Sequence, residues 1–133
     1  MAAGTPTPSE VAHRIVDAWN RDENPLKLGL IAEDVEYANP PDALEPGTRR
    51  GHEGWRAALR GLNESFEVRG IDVHRVLEAG DRAALLVTLR IRGRTSGADA
   101  QQEQGFVFTV REGQVTRFEW WNSHREALAS LGR

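Results

Sequence analysis

Two periods divide the chain. Up to about residue 66 apolar residues recur three and four apart; beyond it they recur two apart. Val11, Ile15, Ala18 and Trp19 form one helical stripe, with Ser9 as the expected N-cap and an end near Asn20. His13 and Asp17 fall on the opposite, solvated face. Asn24 followed by Pro25 opens a second, short helix, because proline suits the first helical position. "VEYANP" alternates as a strand. Trp55, Leu59, Leu62 and Phe66 line one side of a third helix.

Phe66 to Ala79 then reads as a long strand with a bulge at Gly70. Gly80-Asp81 is a hairpin turn. "AALLVTLRIRGR", "QQEQGFVFTVREG" and "QVTRFEWWNS" continue the meander, with a tight turn at Glu112-Gly113. "HREALASLG" closes the chain as a helix. Helices followed by consecutive long strands predict an α+β domain: a curved antiparallel sheet with three helices folded over its concave face. Residues 1–133 form one domain, and 1–8 are expected to be a disordered leader.

Composition narrows the function. The 133 residues contain no cysteine, which removes disulfides, thiolate metal sites and a thiol nucleophile. The net charge is −3 with both signs dispersed, so no basic stripe for nucleic acid or a membrane surface stands out. No apolar run is long enough to span a bilayer, and a cytoplasmic protein is the expectation. Four histidines lack metal-ligand spacing, and no phosphate-binding or dinucleotide glycine motif occurs, so neither metal nor cofactor is expected. Four Trp and four Phe supply large rings for a core or a pocket.

"VDAWNRDE", "LIAEDVEYANPPDALEPGTRRGHEG", "EAGDRAALLV" and "VREGQVTRFEWWNSHREAL" resemble the SnoaL-like branch of the nuclear-transport-factor-2-like superfamily along nearly the whole chain. The resemblance implies a cone-shaped domain with a deep apolar pocket. Ketosteroid isomerase, limonene epoxide hydrolase, polyketide cyclases and plain binding proteins share that fold, so function must come from the site.

Strand alternation then selects the side chains entering the pocket. Tyr37 and Asn39 share a face on the first strand. Val87 and Leu89, then Gln104, Phe106 and Phe108, then Phe118, Trp120 and Asn122 follow on the later strands, and Trp55 and Leu59 close the pocket from the third helix. Asp42 and Glu45, on the proline-rich loop, are expected at the mouth, where Asp42 could swing over a ligand. Tyr37, Asn39 and Asp42 are the candidate catalytic set, and the other inward residues the ligand-binding set.

Compared with ketosteroid isomerase, the base position falls on Asn39, the tyrosine position on Arg14 or Ile15, and the acid position on Phe106. None can do that chemistry, and an amide cannot act as the base. Tyr37 and Asn39 match the Tyr-x-Asn pair that holds water in the epoxide hydrolase. The Asp–Arg–Asp relay of that enzyme has no aspartate here, since its positions fall on Val87 and Leu89, or Arg90 and Arg92, and on Trp120. The cyclases' inward aspartate finds only Glu119, on the outward parity. The expectation is therefore a pocket for a mostly apolar, oxygenated molecule of polyketide, terpenoid or steroid type. Isomerisation, cyclisation or hydration stands beside plain binding, and an interaction module is a third class. Leu86, Val107 and Trp121 point to the outer sheet face, and with no helix left to cover them they predict a homodimer through that face.

Overall fold

The computed structural model describes residues 4–43 and 45–132. They form helices α1 (Pro8–Asn20), α2 (Gly51–Ser65) and α3 (His124–Leu131), a 3-10 turn at Pro25–Leu28, and one six-stranded sheet. Its strands are β1 (Ile31–Asn39), β2 (Gly47–Arg50), β3 (Phe66–Ala79), β4 (Arg82–Gly93), β5 (Asp99–Arg111) and β6 (Gln114–Trp121), in the order β2-β1-β6-β5-β4-β3. The domain is α+β, as its periodicity predicts.

Local chemistry sets the element ends. The N-cap of α1 is Thr7 rather than Ser9. Thr7 and Glu10 form a reciprocal capping box, and the Ser9 hydroxyl donates instead to Glu78 at 2.6 Å. Thr7 and Pro8, expected in the leader, belong to the start of α1; residues 1–3 lie outside the described ones. Asn24 caps the 3-10 turn, and Gly29 ends it in the left-handed region. Glu112 and Gly113 both take positive φ, as a two-residue hairpin turn requires. β3 carries two register shifts against β4, one between Val68 and Gly70 and one between Val73 and Arg75. β2 was not foreseen; it forms a short hairpin with β1.

The meander β3–β4–β5–β6 is antiparallel, but β1 joins β6 in parallel, with Tyr37 opposite Phe118 and Ala38 opposite Glu119. The sheet is therefore mixed. Alternation along single strands carries no information on the direction of a partner more than eighty residues away.

α1 and α2 cover the face bearing Leu85, Val87, Phe108 and Phe118. α3 packs on the opposite face, where Ala127 meets Ala84, Leu86 and Val107, with Trp121 and Leu131 against the cluster. This corrects the expectation that no helix is left to cover the outer face. Of the strip from which the homodimer is argued, Leu86 and Val107 are buried beneath the chain's own last helix and Trp121 stays partly exposed. Arg82 anchors that helix by donating to the carbonyls of Ser130 (2.9 Å) and Leu131 (2.8 Å).

The close approach of α3 depends on Gly105, because a Cβ built there would lie 2.2 Å from the Ala127 Cβ. Gly105→Ala should lower stability by about 1–3 kcal/mol through overpacking. Adding Ala127→Gly in the same chain should return part of that loss, because the two sites are coupled. Urea denaturation of both variants checks this; an unchanged Gly105→Ala protein would mean that α3 does not bear on Gly105.

Candidate functional site

Between the end of α1, the inner side of α2 and the sheet lies a cavity of about 1010 Å³. Among the expected residues, Tyr37, Asn39, Trp55, Leu59, Leu89, Gln104, Phe106, Phe118 and Trp120 border it. Parity along β1, β4, β5 and β6 thus brings together most of the expected set.

Five of the expected residues are placed elsewhere. Val87 and Phe108 are fully buried in the core and do not border the cavity. The core cluster that holds them also contains Val11 and Ile15 of α1, which seals the sheet below the cavity. Asn122 lies one residue beyond β6, where alternation no longer applies, and it is exposed. Its Nδ2 donates to both carboxylate oxygens of Asp42, at 3.3 and 3.2 Å. Asp42 is therefore exposed and tied to the β6–α3 turn, away from the cavity wall. Glu45 is spent on an exposed ion pair with Arg49.

Tyr37 and Asn39 remain. Burial holds the Tyr37 hydroxyl far above the ordinary phenol range, opposed in part by the Arg49 charge. The ring meets Trp55 edge-on, centroids 5.4 Å apart, and Phe118 at 5.0 Å. Trp19, Phe106 and Phe118 complete one continuous aromatic cluster.

Asn39 has a specific partner. The Trp120 indole N–H donates to its Oδ1 at 2.7 Å. An indole nitrogen only donates, so the bond fixes which end of the amide is oxygen. Asn39 borders the cavity with its Nδ2 without a hydrogen-bond partner among the described residues. Gln104, on β5, also borders the cavity and has none. The accessible polar chemistry of the inner wall is thus a phenol, a locked amide donor and a free amide.

Sequence reasoning missed the mouth. Trp19 borders the cavity, not only the core. Asn20 receives the Ile71 N–H at 2.7 Å and donates to its carbonyl at 3.0 Å, pinning the end of α1 to the edge strand β3. The signal was present, since the apolar stripe of α1 ends in Trp19 beside a polar residue. Asp22 and Glu23, from the turn after α1, border the cavity too. Both are exposed, as are Arg56 and Arg60 of α2, which also border it.

Three of the four histidines make structural contacts. His52 is bonded to the Ile31 carbonyl, His74 to the Thr88 hydroxyl and His124 to the Val87 carbonyl. Among the described residues no group of three His, Asp or Glu is placed to hold a metal, and no helix is long and apolar enough to cross a membrane.

Two outcomes follow from the Tyr37 and Asn39 environments. A double-mutant cycle with Asn39→Leu and Trp120→Phe should give a coupling of about 1 kcal/mol in urea denaturation, with Asn39→Leu alone costing more because it strands a donor. Additive effects would dissolve the pair. Tyr37 is the sole tyrosine, so tyrosinate absorbance reports it alone. The unfolded chain should titrate near pH 10, whereas the folded protein should show almost no tyrosinate there. Because the folded-state pKa is the higher one, the stabilising effect is complete below about pH 10 and is lost as pH rises toward the folded value. A native titration coinciding with the unfolded one would contradict the burial.

Several solved structures share the fold. An NTF2-like protein of unknown function from Burkholderia pseudomallei K96243 superposes with a TM-score of 0.76 at 22% identity, covering 95% of this chain and 98% of that one. A candidate polyketide cyclase from Pseudomonas putida KT2440 gives 0.75 at 18% identity, covering 90% and 94%. TerC, co-crystallized with polyporic acid, gives 0.73 at 20% identity, covering 95% and 98%. At such identities the likeness shows the fold. No curated protein matches the chain. Residues 12–118 match the model of the SnoaL-like domain, and the chain belongs to that family.

Proposed function

We propose that the protein binds a flat, polycyclic, mostly apolar small molecule with a few oxygen functions, of polyketide, terpenoid or steroid type. The carrying observation is the Trp120–Asn39 bond. It fixes the orientation of the Asn39 amide, leaving the nitrogen as the donor on a residue that borders an aromatic cavity. A fixed donor selects a carbonyl, phenolate or ether oxygen on the ligand. The cavity volume and the Trp, Tyr and Phe walls suit rings. The likeness in fold to a candidate polyketide cyclase and to TerC with polyporic acid supports the same ligand class.

Binding is the function the geometry supports best. The carboxylates at the cavity are Asp22, Glu23 and Glu67. The first two are exposed, and Glu67 is half-exposed and paired with Arg69 at 3.3 Å. None is a desolvated carboxylate facing the inner wall, so the wall supplies hydrogen-bond donation to a carbonyl and no general base.

Thermal shift and tryptophan fluorescence with a panel of polycyclic quinones, steroid ketones and terpenoid ketones test this. A ligand present at about a hundred times its Kd should add roughly 2.7 kcal/mol of stability, with saturable quenching. Leu59→Arg, which puts a charge into the cavity wall, should abolish both effects while the fold persists. No response to any member of the panel would overturn the reading. The protein should also lack ketosteroid isomerase turnover. Each lost donor or base typically costs about 10² to 10⁴ in rate, and Asn39 and Phe106 occupy two of the three positions. Steroid isomerisation at ordinary enzymatic efficiency would contradict that.

A further inference from the structure

Three tryptophans border the large cavity, and the chain treats their N–H groups differently. Trp120 donates to Asn39. The indole nitrogens of Trp19 and Trp55 are buried and have no hydrogen-bond partner. Trp55 is 0% exposed, so solvent does not serve its donor. The two rings lie nearly parallel, 18° apart in plane and 6.0 Å between centroids. Their other ring neighbours are Tyr37, Phe106 and Phe118.

Buried donors without partners are rare because their hydration is lost with nothing in return. Phenylalanine would fill an aromatic wall without that cost, and the same cluster uses it at Phe106, Phe108 and Phe118. The chain also supplies a partner for an indole where one is wanted, as at Trp120. Two unserved donors on neighbouring rings, both of residues that border one cavity, therefore point to an acceptor brought from outside. Faces of neighbouring rings offer an alternative, weaker acceptor. A ring face gives no reason to keep both indoles at the cavity.

We infer that Trp19 and Trp55 are oxygen-recognising residues of the pocket: their indole N–H groups receive a carbonyl or phenolate oxygen at the inner end of the ligand. This rests on the proposed binding of flat oxygenated rings and adds which side chains read the oxygen. Both nitrogens lie beneath the cavity surface, so the partly exposed Trp19 ring, in the last turn of α1, must turn as the oxygen arrives. Trp121 also has an unpartnered N–H. It lies on the opposite sheet face, beside a hollow of about 180 Å³, and serves as an internal control.

The test compares anthraquinone sulfonate with anthracene sulfonate, which share shape and charge but differ in the two carbonyl oxygens. Calorimetric titration of the wild type should show the quinone binding about tenfold more tightly. Trp19→Phe and Trp55→Phe should each cut that preference several-fold, read as the ratio of the two affinities within each variant. A preference that both variants retain in full would overturn the inference while the pocket reading stands. If the wild type binds neither probe, the reading of the pocket as a site for flat rings fails, and the inference with it. Should a variant not fold, the four indole N–H resonances of labelled wild-type protein carry the same test. The quinone, but not the hydrocarbon, should move two of them strongly downfield, with the Trp121 signal unmoved. Equal shifts with both probes would overturn the inference.

Discussion

Parallel pairing of β1 with β6 is the constraint from which the site follows. It sets Tyr37 beside Phe118 and brings Asn39 within a hydrogen bond of Trp120. Without it the proline-flanked end of β1 would have β2 alone as a partner. With it, two short-range facts become one geometry: an extended residue before Pro40, and an indole that needs an acceptor. β1 is itself held by β2 on its other side, so the row that carries Asn39 lies inside the sheet rather than at its edge.

The two sheet faces do different work. On one, α1 and α2 seal the lower sheet and leave an aromatic cavity above it. On the other, α3 lies close over Gly105, and a network of ions runs from Arg50 through Glu36 and Arg117 to the buried Glu119, which accepts from the Ser130 hydroxyl at 2.8 Å. Charge is thus kept on the outer face and at the mouth, where water and counter-ions support it. The cavity wall keeps neutral donors. The carboxylate nearest in sequence to Trp120 is Glu119, and strand parity sends it away from the cavity. That separation decides what chemistry the pocket can offer.

Much of the site was legible because period two is a strong rule. Once Tyr37 was assigned inward, Asn39 followed, and likewise Gln104 with Phe106, and Phe118 with Trp120. The rule failed where a strand ended: Asn122 sits one residue past β6 and turns outward. It also could not separate cavity wall from sealed core. Phe106 and Phe108 have the same parity, yet only Phe106 meets the cavity, because the position of α1 over the sheet makes the distinction. Asp42 was assigned to the mouth from its loop alone, and a contact with Asn122, eighty residues away, holds it elsewhere.

By itself the sequence determined the helices, the meander, the hairpin turns and the inward faces. All of these rest on local sterics, backbone hydrogen bonding and side-chain period, which act over a few residues. Tertiary structure alone decided the parallel direction of β1 against β6, the side on which α3 packs, and the bond that orients the Asn39 amide. It also decided which tryptophans are left with an unserved donor. Each of these depends on which distant groups meet, and no local period encodes a meeting across the fold.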